Sequence, residues 1–246
     1  MLTVSEVFVQ AIIIGATSGI GRELAKQMSV NGYTVGIAGR RFELLNSLED
    51  ELPNQCFKSV MDLVNVSESV NALEELLGKM GNVDVIIINS GTGSIDPHFP
   101  LSDELETVAV NVVGFTAMAN VASHYFAKRG RGHIVGVSSI AAIRGGPIAA
   151  YNASKAYISH YMEGLSCRFY SQKGNIFITD IRPGFVDTAM AKGDGIFWQA
   201  SVEKAVQQIL YAVNKKRRVA YVTKRWCFIG WLLSCLPFSL YRRLIS

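Results

Sequence analysis

Short runs of β-branched residues alternate along this chain with longer stretches of mixed apolar and polar character. Residues 7–14 read Val-Phe-Val-Gln-Ala-Ile-Ile-Ile, a near-continuous apolar run that suits a strand buried on both faces of a parallel sheet. Similar runs predict strands over 34–38, 83–88, 134–137 and 176–181, with a third strand ending just before Asp62. Residues 22–28, Arg-Glu-Leu-Ala-Lys-Gln-Met, have helix-forming composition. Residues 156–168 mix good helix formers with apolar positions. Strand and helix in alternation with short loops predict an α/β fold, a doubly wound parallel sheet in a single domain over 1–246.

The first strand runs directly into Gly15-Ala16-Thr17-Ser18-Gly19-Ile20-Gly21, and a helix follows. Strand, glycine turn and helix form the context in which a dinucleotide pyrophosphate is held. Gly15 permits the tight turn, Gly19 lets the backbone approach the pyrophosphate, and Gly21 lets helix and strand pack closely. Free N–H groups at the helix start face the phosphates. Thr17, Ser18 and Ile20 complete this candidate cofactor loop. The second strand ends in Gly39-Arg40-Arg41, and no carboxylate lies between Glu23 and Glu43. An acidic residue at that strand end would bond ribose hydroxyls, whereas Arg40 or Arg41 accommodates a 2′-phosphate. NADP(H) is therefore expected ahead of NAD(H).

Past the middle of the chain stands Tyr151-Asn152-Ala153-Ser154-Lys155. A free phenol, with a pKa of about 10, is a poor base at neutral pH. On a helix, residues four apart share one face, so the Lys155 ammonium is expected to stabilise the Tyr151 phenolate and lower its pKa. Such a phenol exchanges a proton with an alcohol or ketone.

Together these segments resemble the short-chain dehydrogenase/reductase family, over about residues 7–190, and imply a Rossmann-like fold. The resemblance assigns Asp62 and Leu63, after the third strand, to the adenine side of the cofactor. Asn89-Ser90-Gly91 looks like the family's Asn-Asn-Ala-Gly segment, with Ile88 and Ser90 as departures; it places Asn89 and Gly91 against the adenine ribose. Asn111, in Val110-Asn111-Val112, matches the asparagine that holds a proton-relay water. Of Ser138 and Ser139, one is expected to bond the substrate oxygen. The family's usual spacing of 13 residues before the tyrosine selects Ser138, while the flanking Ser-Ser-Ile-Ala-Ala selects Ser139 and implies a one-residue loop deletion at Pro147; Ser139 is the choice here. Arg182-Pro183-Gly184-Phe185-Val186-Asp187-Thr188 looks like the nicotinamide-contacting segment, which assigns Pro183, Gly184, Val186 and Thr188 to the cofactor. The implied catalytic set is Asn111, Ser139, Tyr151 and Lys155, with Tyr151 and Lys155 also touching the cofactor. The implied reaction is hydride transfer between NADP(H) and a carbonyl or secondary alcohol. A homodimer or homotetramer through the Tyr151 helix is implied as well.

Length and a hydrophobic content of 49% over 246 residues suit a full core. Residues 1–6 lack the charged start and apolar stretch of a signal peptide. Cys56, Cys167, Cys227 and Cys235, and the four histidines, show no metal-ligand spacing. A cytoplasmic protein with reduced thiols and no metal is expected. The net charge of +4 hides an asymmetry. Nine of the 24 Lys and Arg lie in 204–246, where there is no acid, so the preceding residues set 15 cations against 20 acids. Residues 224–246 combine this charge with Trp226, Phe228, Trp231 and several leucines. That run is too short to span a bilayer, which takes about 20 apolar residues. It suits a cover over the cleft, a subunit contact or a peripheral membrane contact. Nucleic-acid binding is not expected, because the basic cluster 215–218 carries no base-stacking aromatics on a recognised module. Residues 189–199 are expected to form a lid, hinged at Gly193 and Gly195. Phe185, Ile196, Phe197 and Trp198 would line it and favour a lipophilic substrate. The competing reading is a catalytically silent nucleotide-binding regulator, or a membrane-surface scaffold, on the same fold.

Overall fold

The computed structural model describes residues 9–94, 96, 98–170, 175–190 and 197–245. Seven parallel strands make one sheet: β1 (Gln10–Ile14), β2 (Thr34–Gly39), β3 (Cys56–Val60), β4 (Val83–Ile88), β5 (Arg131–Val137), β6 (Asn175–Pro183) and β7 (Val219–Val222). Their order is β3-β2-β1-β4-β5-β6-β7. This is the doubly wound, Rossmann-like arrangement the alternating pattern predicts. The chain reverses its direction of travel across the sheet between β1 and β4, and the crevice at the carboxyl ends of those strands is where ligands bind in such sheets.

The strand residues sort by parity. Ile12 and Ile14 point to one face, and Ala11 and Ile13 to the other, as the two-residue strand period requires. On the first face lie α3 (Val66–Met80), α5 (Phe115–Arg129) and α6 (Ala149–Tyr170), through Leu73, Leu76, Phe115, Phe126, Ile158 and Met162. On the second lie α1 (Gly19–Val30), α2 (Phe42–Glu51) and α7 (Val202–Asn214), through Leu24, Met28, Leu45, Leu48, Val206 and Ile209. With both faces covered, the central strands read as unbroken apolar runs.

Three features depart from the sequence expectations. The Tyr151 helix, expected to hold Tyr151 and Lys155 and to continue through 156–168, runs from Ala149 to Tyr170, a little beyond that at both ends. β7 was not evident in the pattern, because its four residues Val-Ala-Tyr-Val are flanked by basic residues. The helix that carries Asn111 is not uniform: α4 (Leu101–Val108) passes through a π-helical turn, Ala109–Gly114, before α5. By length and composition the span Leu101–Arg129 could cross a membrane. In the fold its apolar side, from Phe115 to Phe126, packs on the sheet.

Past β7, α8 (Trp226–Cys235) and α9 (Phe238–Ile245) lie over the loop that joins β5 to α6.

Candidate active site

The glycine turn is held by the sheet it leaves. Gly15 and Ala16 both donate their N–H to Ala38 O, at 2.8 and 3.0 Å. Gly15 has φ +89°, a left-handed backbone that glycine adopts without strain. A Cβ on Gly21 would fall 2.0 Å from Gly15 O, so only glycine lets α1 start this close to the strand. No acid occupies the first turn of α1, which leaves its positive end free for an anion.

Beside this turn, Arg41 Nη2 donates to Thr17 Oγ1 (2.6 Å) and to Ser18 Oγ (2.9 Å). Arg40 turns the other way and pairs with Glu106 on α4 at 3.2 Å, both side chains about half exposed. The structure therefore brings Arg41, and not Arg40, to the glycine turn. Asp62 Oδ1 accepts from Val64 N (3.2 Å), and Leu63 is buried against Gly114 of the π turn. Asn89 Nδ2 donates to Gly15 O at 3.0 Å, tying the end of β4 to the turn.

Asn111 is fully buried and fully bonded. Its Oδ1 accepts from Thr92 N (2.9 Å), while Nδ2 donates to Thr92 O (2.7 Å) and Ser154 Oγ (2.9 Å). Ser154 donates to Tyr151 O at 2.8 Å. One amide thus clamps the loop after β4 to the first turns of α6. Gly91 lies over Lys155, with an added Cβ only 3.0 Å from Nζ. Gly93 packs on the Tyr151 ring, where a Cβ would sit 2.6 Å from Cδ2.

The two serines after β5 point apart. Ser138 Oγ donates to Asp180 Oδ1, and Ser159 Oγ donates to Asp180 Oδ2 at 2.8 Å. Arg182 Nε completes the shell around this buried carboxylate at 2.7 Å. Ser139 Oγ instead accepts from Ala141 N (3.1 Å), reaches Pro183 O at 3.5 Å and lies close enough to the Tyr151 phenol to favour its ionised form. Geometry thus pairs Ser139 with Tyr151 and assigns Ser138 to the wall behind.

Lys155 is buried and donates Nζ–H to Val137 O at 3.1 Å, with Nζ 5.7 Å from the Tyr151 ring centroid. Burial pushes its pKa down to about 8, against the Asp180 carboxylate, which holds it up. Tyr151 corrects the sequence expectation. With the protein groups alone, burial raises the phenol above its ordinary value, and the Ser139 hydrogen bond opposes this only in part. Desolvation of the phenolate is the larger cause, and the Lys155 ammonium, over the ring at 5.7 Å from its centroid, gives a proton to Val137 O instead.

The segment after β6 closes the crevice. Gly184 N donates to Val222 O at 2.6 Å, Val186 is buried and bridges to Ala200, and Thr188 lies across Gly19 at 3.0 Å from an added Cβ. Phe185, Phe197, Trp198 and Trp226 form an aromatic cluster with ring centroids 5.3 to 6.3 Å apart. Of the expected lid, residues 191–196, with Ile196 and both glycine hinges, lie outside the described residues. Sequence reasoning missed Gly93, Ser154, Ser159 and Asp180. The second glycine of Gly91-Thr92-Gly93 and the acid within an apolar strand were the available signals.

The family model for short chain dehydrogenase matches residues 10–195. The chain belongs to this family. An oxidoreductase of Myxococcus xanthus, itself uncharacterized, is 33% identical over 186 residues, covering 73% of each chain. The NADP-dependent 3-hydroxy acid dehydrogenase of Salmonella typhi is 29% identical over 181 residues, covering 71% of each. Among solved structures, a Burkholderia phymatum short chain dehydrogenase/reductase in complex with NAD superposes with TM-score 0.83 at 19% identity, covering 92% of each chain. This short-chain dehydrogenase is an NAD(P)-dependent oxidoreductase acting on CH–OH and C=O groups. A silent regulator on the same fold is not favoured.

Proposed function

We propose that this short-chain dehydrogenase uses NADP(H) to reduce a lipophilic ketone, with Tyr151 as the proton donor. The observation that carries the reading is the convergence of Ser139, Tyr151 and Lys155 at the carboxyl end of β5, one crevice away from the glycine turn. The residues fit the cofactor: Gly21 allows the close turn, the α1 start is free of acid, and Arg41 with Ser18 offers donors to a 2′-phosphate. The cofactor supplies the hydride when bound.

The chain's own groups do the rest. The raised pKa keeps the Tyr151 phenol protonated at neutral pH, the form a reduction needs. Ser139 donates to the substrate oxygen as negative charge develops there. Lys155 bonds the nicotinamide ribose and sets a positive field at the phenolate left behind. Asn111 positions the relay that returns a proton to Tyr151. Asp62, Leu63, Asn89 and Gly91 line the adenosine side, and Pro183, Gly184, Val186 and Thr188 line the nicotinamide side. Arg40 serves this reading less well than Arg41, since Glu106 engages it. The aromatic cluster of Phe185, Phe197, Trp198 and Trp226 supports a lipophilic substrate. A single catalytic domain, a homo-oligomer built on α6 and a membrane contact of the 224–246 segment belong to the same reading.

Initial rates with NADPH and NADH across a carbonyl panel test it. The expectation is a preference for NADPH and for bulky apolar ketones. Preference for small polar carbonyls, or for NADH, contradicts it.

A further inference from the structure

α8 contains no charged residue, yet one of its sides faces outward. Trp226 and Gly230 form the buried inner side: Gly230 is in contact with Ile140, Ile143 and Tyr221, and Trp226 with Gly184. Phe228, Trp231, Leu232 and Cys235, at spacings of three, four and seven, form the outer side and are exposed. On α9, Tyr241 is buried while Phe238, Leu240 and Leu244 are exposed. A helix apolar on both sides is stable only where both are covered, and a contiguous exposed apolar patch marks an interaction surface.

The charge around this patch selects its occupant. Lys224 and Arg225 precede α8, Arg242 and Arg243 lie on α9, and no acidic residue occurs from 204 onward. Arg242 and Arg243 make no ion pair among the described residues. A second copy docked by the same patch about a two-fold axis would set this basic segment against itself. An anionic lipid surface complements it, with cations at the phosphates and aromatic rings at the headgroup level.

The patch is also fixed to the active-site mouth. Arg144, between Ser139 and Tyr151, donates to Leu233 O and Leu236 O at the end of α8 and stacks on the Tyr241 ring at 4.4 Å. Tyr241 donates to Gly145 O. We propose that the outer side of α8 and α9 docks flat on an anionic lipid bilayer, which turns the mouth beneath Phe185 and Trp226 toward the membrane so that a lipophilic substrate enters from it. This rests on the membrane contact and lipophilic substrate of the preceding reading, but the docking is measured without cofactor or turnover, so either can fail alone.

Flotation of the full chain with vesicles of phosphatidylglycerol and phosphatidylcholine, against phosphatidylcholine alone, tests it. Binding is expected only to the anionic vesicles, weakening as salt rises. The exposed pair Phe228→Ser/Trp231→Ser is expected to abolish it. Arg242→Gln/Arg243→Gln is expected to weaken it on the order of 30-fold. Circular dichroism should be unchanged for both variants. Wild-type protein left unbound by anionic vesicles, or bound equally to neutral ones, overturns the proposal. So does a dimer in light scattering that Phe228→Ser/Trp231→Ser dissociates.

Discussion

Tyr151 and Lys155 illustrate how far a spacing carries at the scale of single residues. Their separation of four placed them on one side of a helix, but not the balance of desolvation against charge that raises the phenol and lowers the ammonium to about 8. That balance makes a pH prediction. Reduction should decline as pH rises through about 8, when Lys155 loses its proton. Asp180 holds the ammonium up, so Asp180→Asn should move this alkaline limb to lower pH; an unmoved limb contradicts the assignment to Lys155. The choice between Ser138 and Ser139 was open in the sequence because both follow the same strand, and their partners, Asp180 for Ser138 and Tyr151 for Ser139, distinguish them. Ser138→Ala should therefore alter stability more than kcat, and Ser139→Ala the reverse, measured by urea unfolding and initial rates. Asp180 was visible as an acid within an apolar strand, but its role was not, since its three partners come from the turn after β5, from α6 and from β6.

The central strands announced themselves at the level of elements because burial on both faces leaves no polar period to read. β7 and the π-helical turn at Asn111 did not: the first is short and set among cations, and the second is a change of backbone winding within an apolar helix. Contacts between elements were equally silent. Trp226 of α8 fills the space over Gly184, where a Cβ would meet its ring at 2.1 Å. Gly184→Ala should displace that ring and cost about 1–3 kcal/mol by overpacking, visible in urea unfolding. It should also raise KM for bulky ketones, because the same indole borders Phe185 and Phe197. Unchanged stability would mean that α8 yields freely. That result would weaken the idea of a fixed wall beside the mouth.

The doubly wound sheet of the whole molecule was legible from its alternating strands and helices, so a crevice at the carboxyl ends of the strands was foreseeable, while the strand order that puts it beyond β1 and β4 came from the structure. Acid stability was not. His133 on β5 is buried, and burial, aided by the Lys216 charge, pushes it from 6.5 down to about 4. Thr179 Oγ1 gives its proton to Arg217 O, so His133 Nε2 is the donor to Thr179. Below about pH 6.5 the unfolded chain takes up a proton that the folded chain refuses until about pH 4. Stability should therefore fall across that window, by about 3 kcal/mol once protonation is complete. Urea midpoints for wild type and His133→Gln should converge as the pH falls; parallel curves contradict this. Tyr151 as the proton donor is tested by single-turnover NADPH oxidation with a bulky ketone, comparing wild type with Tyr151→Phe. Tyr151→Phe should bind NADPH as wild type does while its turnover drops roughly 10²–10⁴-fold. Turnover at the wild-type rate without the hydroxyl would contradict it.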